Sequence, residues 1–173
     1  MISVVDVETS WQVTDTGGYD PSPYHPDNIL VSVGINDEYY FTNHSERIDD
    51  GCYHNIQSIL DKTTLLVGHN IKFDLMWLIE AGFKYTGKVY DTMLGEYILN
   101  RGIRKSLTLE MSCRRRRIGS KDNRIKEFTD RGIPFQNIPA NVVEEYGKMD
   151  VQITRDLFNS QMADFKMPKN KHL

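Results

Sequence analysis

Residues 2–8 read ISVVDVE, and this stretch decides the fold class. Its run of β-branched, apolar residues predicts a buried strand that ends in polar residues. Asp6 and Glu8 stand two positions apart, so both side chains project from the same face of that strand. Two neighbouring carboxylates repel each other, and a cation between them would relieve the repulsion. An edge strand with a polar end is the alternative explanation of this pair.

Further along the chain, strand patterns and helix patterns alternate. Strands are predicted at 29–35, 39–42, 64–67 and 89–90, and helices at 54–60, 72–81, 92–99, 106–113 and about 141–164. The segment 114–139 contains two glycines and two prolines and is predicted to be irregular, with one helical piece around Lys126. This order is typical of an α/β domain in which helices cover a mixed sheet.

Composition excludes several classes of protein. The 173 residues, 39% hydrophobic and 26% charged, are ordinary for one globular domain. No apolar run approaches the roughly 20 residues of a membrane span, and no signal-peptide pattern opens the chain, so we expect a cytoplasmic protein without a membrane partner. Two cysteines and five scattered histidines provide neither a disulfide framework nor the ligand spacing of a zinc site.

Positive charge is concentrated in one part of an acidic chain. The net charge is −3, yet residues 101–126 contain ten Lys and Arg residues against two acidic ones. The run Arg114, Arg115, Arg116 and Arg117 is its centre. This pattern predicts either a local contact with a polyanion or a solvated loop and helix face.

Two more acidic positions follow the first pair. Asp74 lies in the first turn of a predicted helix, four residues after Asn70, where it could simply favour the helix N-terminus. Asp150 follows Tyr146 by four residues, so both share one face of the long helix at the rim of its buried stripe. A buried carboxylate there needs a partner. Oxygen ligands of this kind select Mg²⁺ or Mn²⁺, and two such ions can cleave a phosphodiester.

The ordered set of these residues carries a family resemblance. VDVET at 5–9, Asn70-x-x-x-Asp74 and Tyr146-x-x-x-Asp150 resemble the three motifs of the DEDD (DnaQ-like) 3′→5′ exonuclease superfamily. The last motif is that of the DEDDy branch, because position 145 holds Glu145 and not histidine. The stretches 67–74 and 90–100 are similar to the proofreading exonuclease domain of family A DNA polymerases. The resemblance covers residues 1 to about 160.

This resemblance implies an RNase H-like fold and two divalent ions, Mg²⁺ or Mn²⁺. It implies that Asp6, Glu8 and Asp150 hold the catalytic ion, with Asp6 also bridging to a second ion that Asp74 holds through water. Tyr146 and Glu8 would orient the attacking water.

The same resemblance implies contacts with substrate. Thr9 and Asn70 would contact the terminal nucleotide. The arginine run has no counterpart in the motifs, and phosphate binding by Arg114–Arg117 is a hypothesis from charge alone.

The implied activity is hydrolysis at the 3′ end of single-stranded or frayed DNA, of the proofreading type, with release of nucleoside 5′-monophosphates. The implied partners are a DNA 3′ end and a polymerase domain, in cis or in trans. The alternatives are an exoribonuclease of the same superfamily and a catalytically silent, nucleic-acid-binding polymerase appendage. We expect one exonuclease domain at 1–165 and a disordered tail at 166–173.

Overall fold

The structure, a computed structural model, describes residues 1–119 and 124–166. Its strands are β1 (Ile2–Thr9), β2 (Gln12–Val13), β3 (Tyr19–Asp20), β4 (Leu30–Ile35), β5 (Glu38–Phe41), β6 (Leu65–Gly68) and β7 (Lys88–Asp91). Its α-helices are α1 (Cys52–Lys62), α2 (Ile71–Glu80), α3 (Thr92–Leu99), α4 (Leu109–Arg116), α5 (Arg124–Thr129) and α6 (Ala140–Lys166). A 3₁₀ turn at Phe135–Asn137 precedes α6.

Five strands form a mixed sheet in the order β5-β4-β1-β6-β7. β4 runs antiparallel to β1 and to β5, whereas β6 runs parallel to both β1 and β7. The predicted α/β class with a mixed sheet is therefore confirmed. β2 and β3 form a separate two-stranded ribbon in a region that the sequence predicts to be largely loop.

β1 is the central strand, and its alternating side chains enter two different cores. Val5 and Val7 pack with α1 and α2 on one side of the sheet. Val4 packs with Val151 and Phe158 of α6 on the other side. Because strand side chains alternate, Asp6 and Glu8 lie on the same side as Val4, beneath α6. The carboxylates thus stand where a long helix covers the sheet.

Helix α4 differs most from its sequence prediction. Its N-cap is Thr108, whose hydroxyl accepts from the Met111 N–H at 3.3 Å, so the helix begins at Leu109 and not at the predicted residue 106. The helix also continues to Arg116, through residues predicted to be irregular, and ends at Arg117 in the left-handed conformation, with φ 55°. The hydrophobic pattern did not predict this last turn, because the turn is stabilised by ion pairs with another helix and not by burial of apolar residues.

Those ion pairs converge on Glu96 of α3, whose side chain is 3% exposed. Arg116 Nε donates to its Oε2 at 2.7 Å, and Arg115 Nη2 donates to its Oε1 at 3.2 Å. Arg116 also pairs with Asp164 of α6 at 2.6 Å. Gln161 of α6 donates to Glu96 at 3.2 Å and to the Thr92 carbonyl at 2.9 Å. The network joins α3, α4 and α6.

Three further predictions concern membrane-spanning helices, the tail and the long helix. No helix in the described ranges combines the length and the apolar character that crossing a membrane requires. Lys166 is the last residue of α6, so the predicted tail, apart from this residue, lies outside the described residues. The long helix was predicted at about 141–164, and α6 extends from Ala140 to Lys166.

We expect Glu96→Ala to lower the free energy of unfolding by about 3–5 kcal/mol, because it leaves two guanidinium groups without their shared buried carboxylate. Urea denaturation at pH 7 measures this. Lys148→Ala is the matched control, since its pair with Glu144 within α6 is exposed and contributes about 0.3–0.5 kcal/mol.

The same variant should show a defined pH dependence. Burial raises the pKa of Glu96, but its bonds from Arg116, Gln161 and Arg115 lower it more, so the net shift is downward from 4.5. The stability that Glu96 contributes is therefore complete above about pH 4.5 and is lost as pH falls through the lowered pKa. A stability difference between the two proteins that stays constant down to pH 3 would contradict this account.

Candidate active site

The register of the sheet places Asp6 and Glu8 opposite small residues. Asp6 pairs with Gly34 of β4 and Glu8 pairs with Ser32, both in the antiparallel ladder. The ladder becomes irregular between Glu8 and Thr9. Glu8 is 7% exposed, and Asp6 is half-buried. Gly34 has no side chain, so α6 packs close to the sheet beside these carboxylates.

Asp74 reaches the same region from α2. It is 3% exposed, and its Oδ1 accepts from the Val7 N–H, between Asp6 and Glu8, at 3.1 Å. Burial raises the pKa of Asp74 well above 3.8, and the charge of Asp6 raises it further, whereas the bond from Val7 lowers it. A parallel strand, β6, leads directly to α2 and so delivers this carboxylate next to β1.

Tyr146 and Asp150 come from α6, one helical turn apart. Asp150 is 3% exposed. Burial raises the pKa of the Tyr146 hydroxyl far above 10, and the charges of Glu8, Asp150 and Asp6 raise it further, as does its hydrogen bond with Asp150. These mutual effects require the groups to be close together. The structure thus brings residues from the first strand and the last helix into one acidic region.

An open cavity of about 500 Å³ gives access to this region. Asp6 and Asp150 form part of its wall, together with His69, Asn70, Met93, Leu107, Thr108 and Leu109. His69 donates from Nε2 to the Leu107 carbonyl at 2.8 Å, and its Nδ1 lies 2.9 Å from the Thr92 hydroxyl. His69 therefore ties the segment before α4 to the start of α3, and residues of both segments line the cavity.

The residues predicted to contact substrate do not all lie at this cavity. Asn70 lines the cavity, with its backbone N–H donating to Asp91 at 2.9 Å, and Thr9 is buried at the end of β1. Arg115 and Arg116 lie in the Glu96 network, which differs from the hypothesis that the whole arginine run contacts phosphate. Arg114 and Arg117 line a separate open cavity of about 570 Å³ beside Glu110.

Several lining residues were absent from the sequence prediction. His69 directly precedes Asn70, so its position next to a motif residue could have predicted that it lies at the site. No sequence pattern predicted that Leu107 and Leu109 line the cavity, because only the folded chain brings them close to the carboxylates. Tyr39 was also missed: burial, followed by the charges of Glu8 and Asp6, raises its pKa well above 10, which places it beside the same region.

The chemistry of this region fits a hard divalent cation. Its donors are oxygen atoms of carboxylates, and the burial of Glu8, Asp74 and Asp150 favours any positive charge that enters. Within residues 1–119 and 124–166, no group of three or more His, Cys, Asp and Glu side chains already stands in an arrangement that could hold a metal ion. Carboxylates of like charge repel each other, and such repulsion opposes a gathered ligand set without a cation.

Comparison with known proteins identifies the family. The family model described as 3′-5′ exonuclease matches residues 14–163, which include Asp74, Tyr146 and Asp150 and begin after Asp6 and Glu8. No curated protein sequence matches the chain.

Solved structures resemble this chain at low sequence identity. A nuclease in its apo form is 15% identical, with a TM-score of 0.64 over 94% of this chain and 72% of that chain. The family B DNA polymerase of Pyrobaculum calidifontis is 16% identical, with a TM-score of 0.64 over 93% of this chain. The chain spans only 24% of that polymerase. Brucella melitensis NrnC with bound Mg²⁺ is 16% identical, with a TM-score of 0.46 over 99% of this chain and 90% of that chain.

The first two likenesses show an RNase H-like fold, and the family match shows the activity class. The chain belongs to the 3′-5′ exonuclease family of the DnaQ-like type and is a nucleic-acid hydrolase.

Proposed function

We propose that this exonuclease removes nucleotides from the 3′ end of single-stranded or frayed DNA and releases nucleoside 5′-monophosphates. The observation that carries this proposal is the placement of Tyr146 and Asp150 of α6 beside Asp6 and Glu8 of β1, next to an open cavity that Asp6 and Asp150 line. A tyrosine among carboxylates from opposite ends of the chain is the arrangement that the DEDDy motifs require. Strand ends must be unpaired to enter such a cavity, which favours single strands and mismatched termini.

Two divalent ions, Mg²⁺ or Mn²⁺, are part of the proposal. Asp6, Glu8 and Asp150 would hold one, and Asp6 and Asp74 would hold the other, with Asp74 acting through water. When bound, such ions activate a water molecule and stabilise the leaving oxygen of a phosphodiester. They also neutralise an acidic cluster that would otherwise repel a polyanionic substrate.

Tyr146 would orient the attacking water with its hydroxyl. Its raised pKa keeps the phenol protonated at neutral pH, so it acts as a hydrogen-bonding group and not as a base. Glu8 would accept a hydrogen bond from the same water. Thr9 and Asn70 would contact the terminal nucleotide, and Arg114 and Arg117 would contact phosphates further along the strand.

The alternatives differ in substrate and partner. An exoribonuclease would use the same carboxylates, because none of them is assigned to the sugar. The stretches around Asp74 and Asp91 resemble polymerase exonuclease domains, which favours DNA, proofreading and a polymerase domain in cis or in trans. A silent appendage would have no reason to keep all four carboxylates and Tyr146.

Digestion of a 5′-labelled oligonucleotide tests the proposal. Single-stranded DNA, a duplex with a mismatched 3′ terminus and RNA of the same sequence are incubated with Mg²⁺, Mn²⁺ or EDTA. We expect a ladder that shortens from the 3′ end of DNA and requires metal. RNA that shortens faster than DNA would support the ribonuclease instead. Intact substrates with every metal would overturn the activity.

Two substitutions in this assay test the assigned roles. Asp6→Ala should lower the rate on the order of 10³-fold because it deletes a metal ligand. Tyr146→Phe should cost about 10²-fold because it disturbs only the position of the water. Equal losses would contradict the division between ligand and orienting group.

We expect Asp74→Asn to raise the melting temperature in EDTA at pH 7 by about 2–4 °C, which corresponds to about 1 kcal/mol. The variant keeps the oxygen that accepts from Val7 and removes the charge. Because the folded pKa of Asp74 is raised, its favourable contribution is complete below pH 3.8 and is lost as pH rises through the raised value. The difference between the proteins should therefore shrink towards pH 4.

The exposed residue Asp61 on α1 provides the control, and Asp61→Asn should leave the melting temperature nearly unchanged. With saturating Mg²⁺ the order should reverse, because the natural chain binds the ion more tightly. An Asp74→Asn protein that melts below the natural chain in EDTA at pH 7 would contradict the electrostatic account.

Arg114→Ala and Arg117→Ala should each weaken binding of single-stranded DNA and reduce the slope of log K against log salt by about 0.7. Fluorescence anisotropy with Ca²⁺ at several salt concentrations measures the slope. Lys62→Ala is the control, since Lys62 is exposed on α1, whose buried residues pack on the other side of the sheet. A slope unchanged by both arginine substitutions would eliminate this phosphate contact.

A further inference from the structure

We propose that Tyr39 is a positioning residue for the reaction, because its ring fits against Gly147 and so fixes where helix α6 presents Tyr146 and Asp150. This inference rests on the proposed function, which gives those two residues their roles. It adds a residue that lies outside the three sequence motifs.

The first support is the register of the sheet. Asp6 of β1, Gly34 of β4 and Tyr39 of β5 form one row across three strands. Paired residues in a ladder project from the same face, so Tyr39 and Asp6 both lie beneath α6, separated by a residue without a side chain. On this face of the sheet, the ring of Tyr39 therefore lies on one side of Gly34 and the carboxylate of Asp6 lies on the other.

The second support is the close approach of α6 to this row. A Cβ on Gly34 would lie 2.9 Å from Cγ2 of Val151, the residue that follows Asp150. Real Cβ atoms do not approach carbon atoms so closely, so any larger residue at 34 would push the helix away. The part of α6 that carries Asp150 is therefore packed closely on β4 at Val151.

The third support is the notch at Gly147, the residue that follows Tyr146. A Cβ there would lie 2.3 Å from Cε2 of Tyr39 and 2.6 Å from its hydroxyl. Glycine is unfavourable inside a helix, and the ring of Tyr39 explains why α6 has one at this position. The Tyr39 hydroxyl lies 2.7 Å from Ser32 Oγ, which fixes the ring.

These two contacts define the rotation of α6 about its own axis. Gly147 and Val151 are four residues apart and lie on one stripe, facing the sheet. Tyr146 and Asp150 lie on the adjacent stripe, about 100° away. Moving the helix away from Tyr39, or turning it, therefore displaces Tyr146 and Asp150 together relative to Asp6 and Glu8.

The inference is tested by enlarging the side chain at position 147, by reducing the one at position 39, and by combining both changes. Gly147→Ala should lower kcat at least tenfold on single-stranded DNA, with KM changed less than threefold. Tyr39→Val should lower kcat about fivefold because the helix loses its contact. The double variant Tyr39→Val/Gly147→Ala should recover kcat to within about threefold of the natural chain. Tyr39→Phe keeps the ring and should retain kcat within about threefold.

Gly87→Ala is the matched control, because its added Cβ would meet Cζ of Tyr85 at 2.6 Å, in the turn before β7 and away from α6. It should lower the melting temperature while the folded protein keeps kcat within about twofold. All rates are measured at a temperature at which circular dichroism shows each variant folded. If Gly147→Ala does not fold, Tyr39→Val and the double variant still report the coupling.

A double variant that recovers the melting temperature but not kcat would reduce Tyr39 to a structural role and overturn the inference. An unchanged kcat in Gly147→Ala would also overturn it. These outcomes differ from a failure of the proposed function, in which the natural chain itself degrades no strand with any metal and the role of Tyr39 in the reaction is lost with it.

Discussion

Buried carboxylates of like charge are the constraint on which this structure depends. Glu8, Asp74 and Asp150 are each less than a tenth exposed, and Asp6 raises the pKa of Asp74. Taking ionised groups out of water is costly, so a chain gains nothing from this arrangement unless positive charge enters it. The rest of the fold holds these groups together despite their repulsion: a central strand, a parallel strand that leads into α2, and a long helix over the sheet.

Helix α6 provides the rigid part of that frame. At 27 residues it is about 40 Å long, and it packs both on the sheet and against α3 and α4. Near Tyr146, its Gly147 packs against the ring of Tyr39 and its Val151 packs over Gly34. Near Gln161 it joins the Glu96 network. A helix fixed at two separated places cannot rotate at one end without strain at the other, which suits a helix that carries two residues of the site.

The arginine run shows how one charge pattern divides between two roles. Arg115 and Arg116 complete the interior of the α3–α4–α6 contact, whereas Arg114 and Arg117 line an open cavity. The four residues are adjacent in the sequence and equal in charge. Their directions differ because successive helical residues point about 100° apart, and because Glu96, twenty residues earlier, lies beside two of them. The density of positive charge predicted a basic surface, but it did not predict which of the four arginines lie on that surface.

The sequence by itself determined the order of the five sheet strands and of the helices, the family, and the pairing of motif residues on shared faces. These follow from local geometry: Asp6 and Glu8 lie two apart on a strand, and Tyr146 and Asp150 lie four apart on a helix. Only the tertiary structure decided the last turn of α4, the contacts of each arginine, the part of the cavity wall formed by His69 and Leu107, and the fit of Tyr39 against Gly147. Each of those depends on contacts between residues distant along the chain, such as Gly34 with Val151, and no local pattern records a contact of that kind.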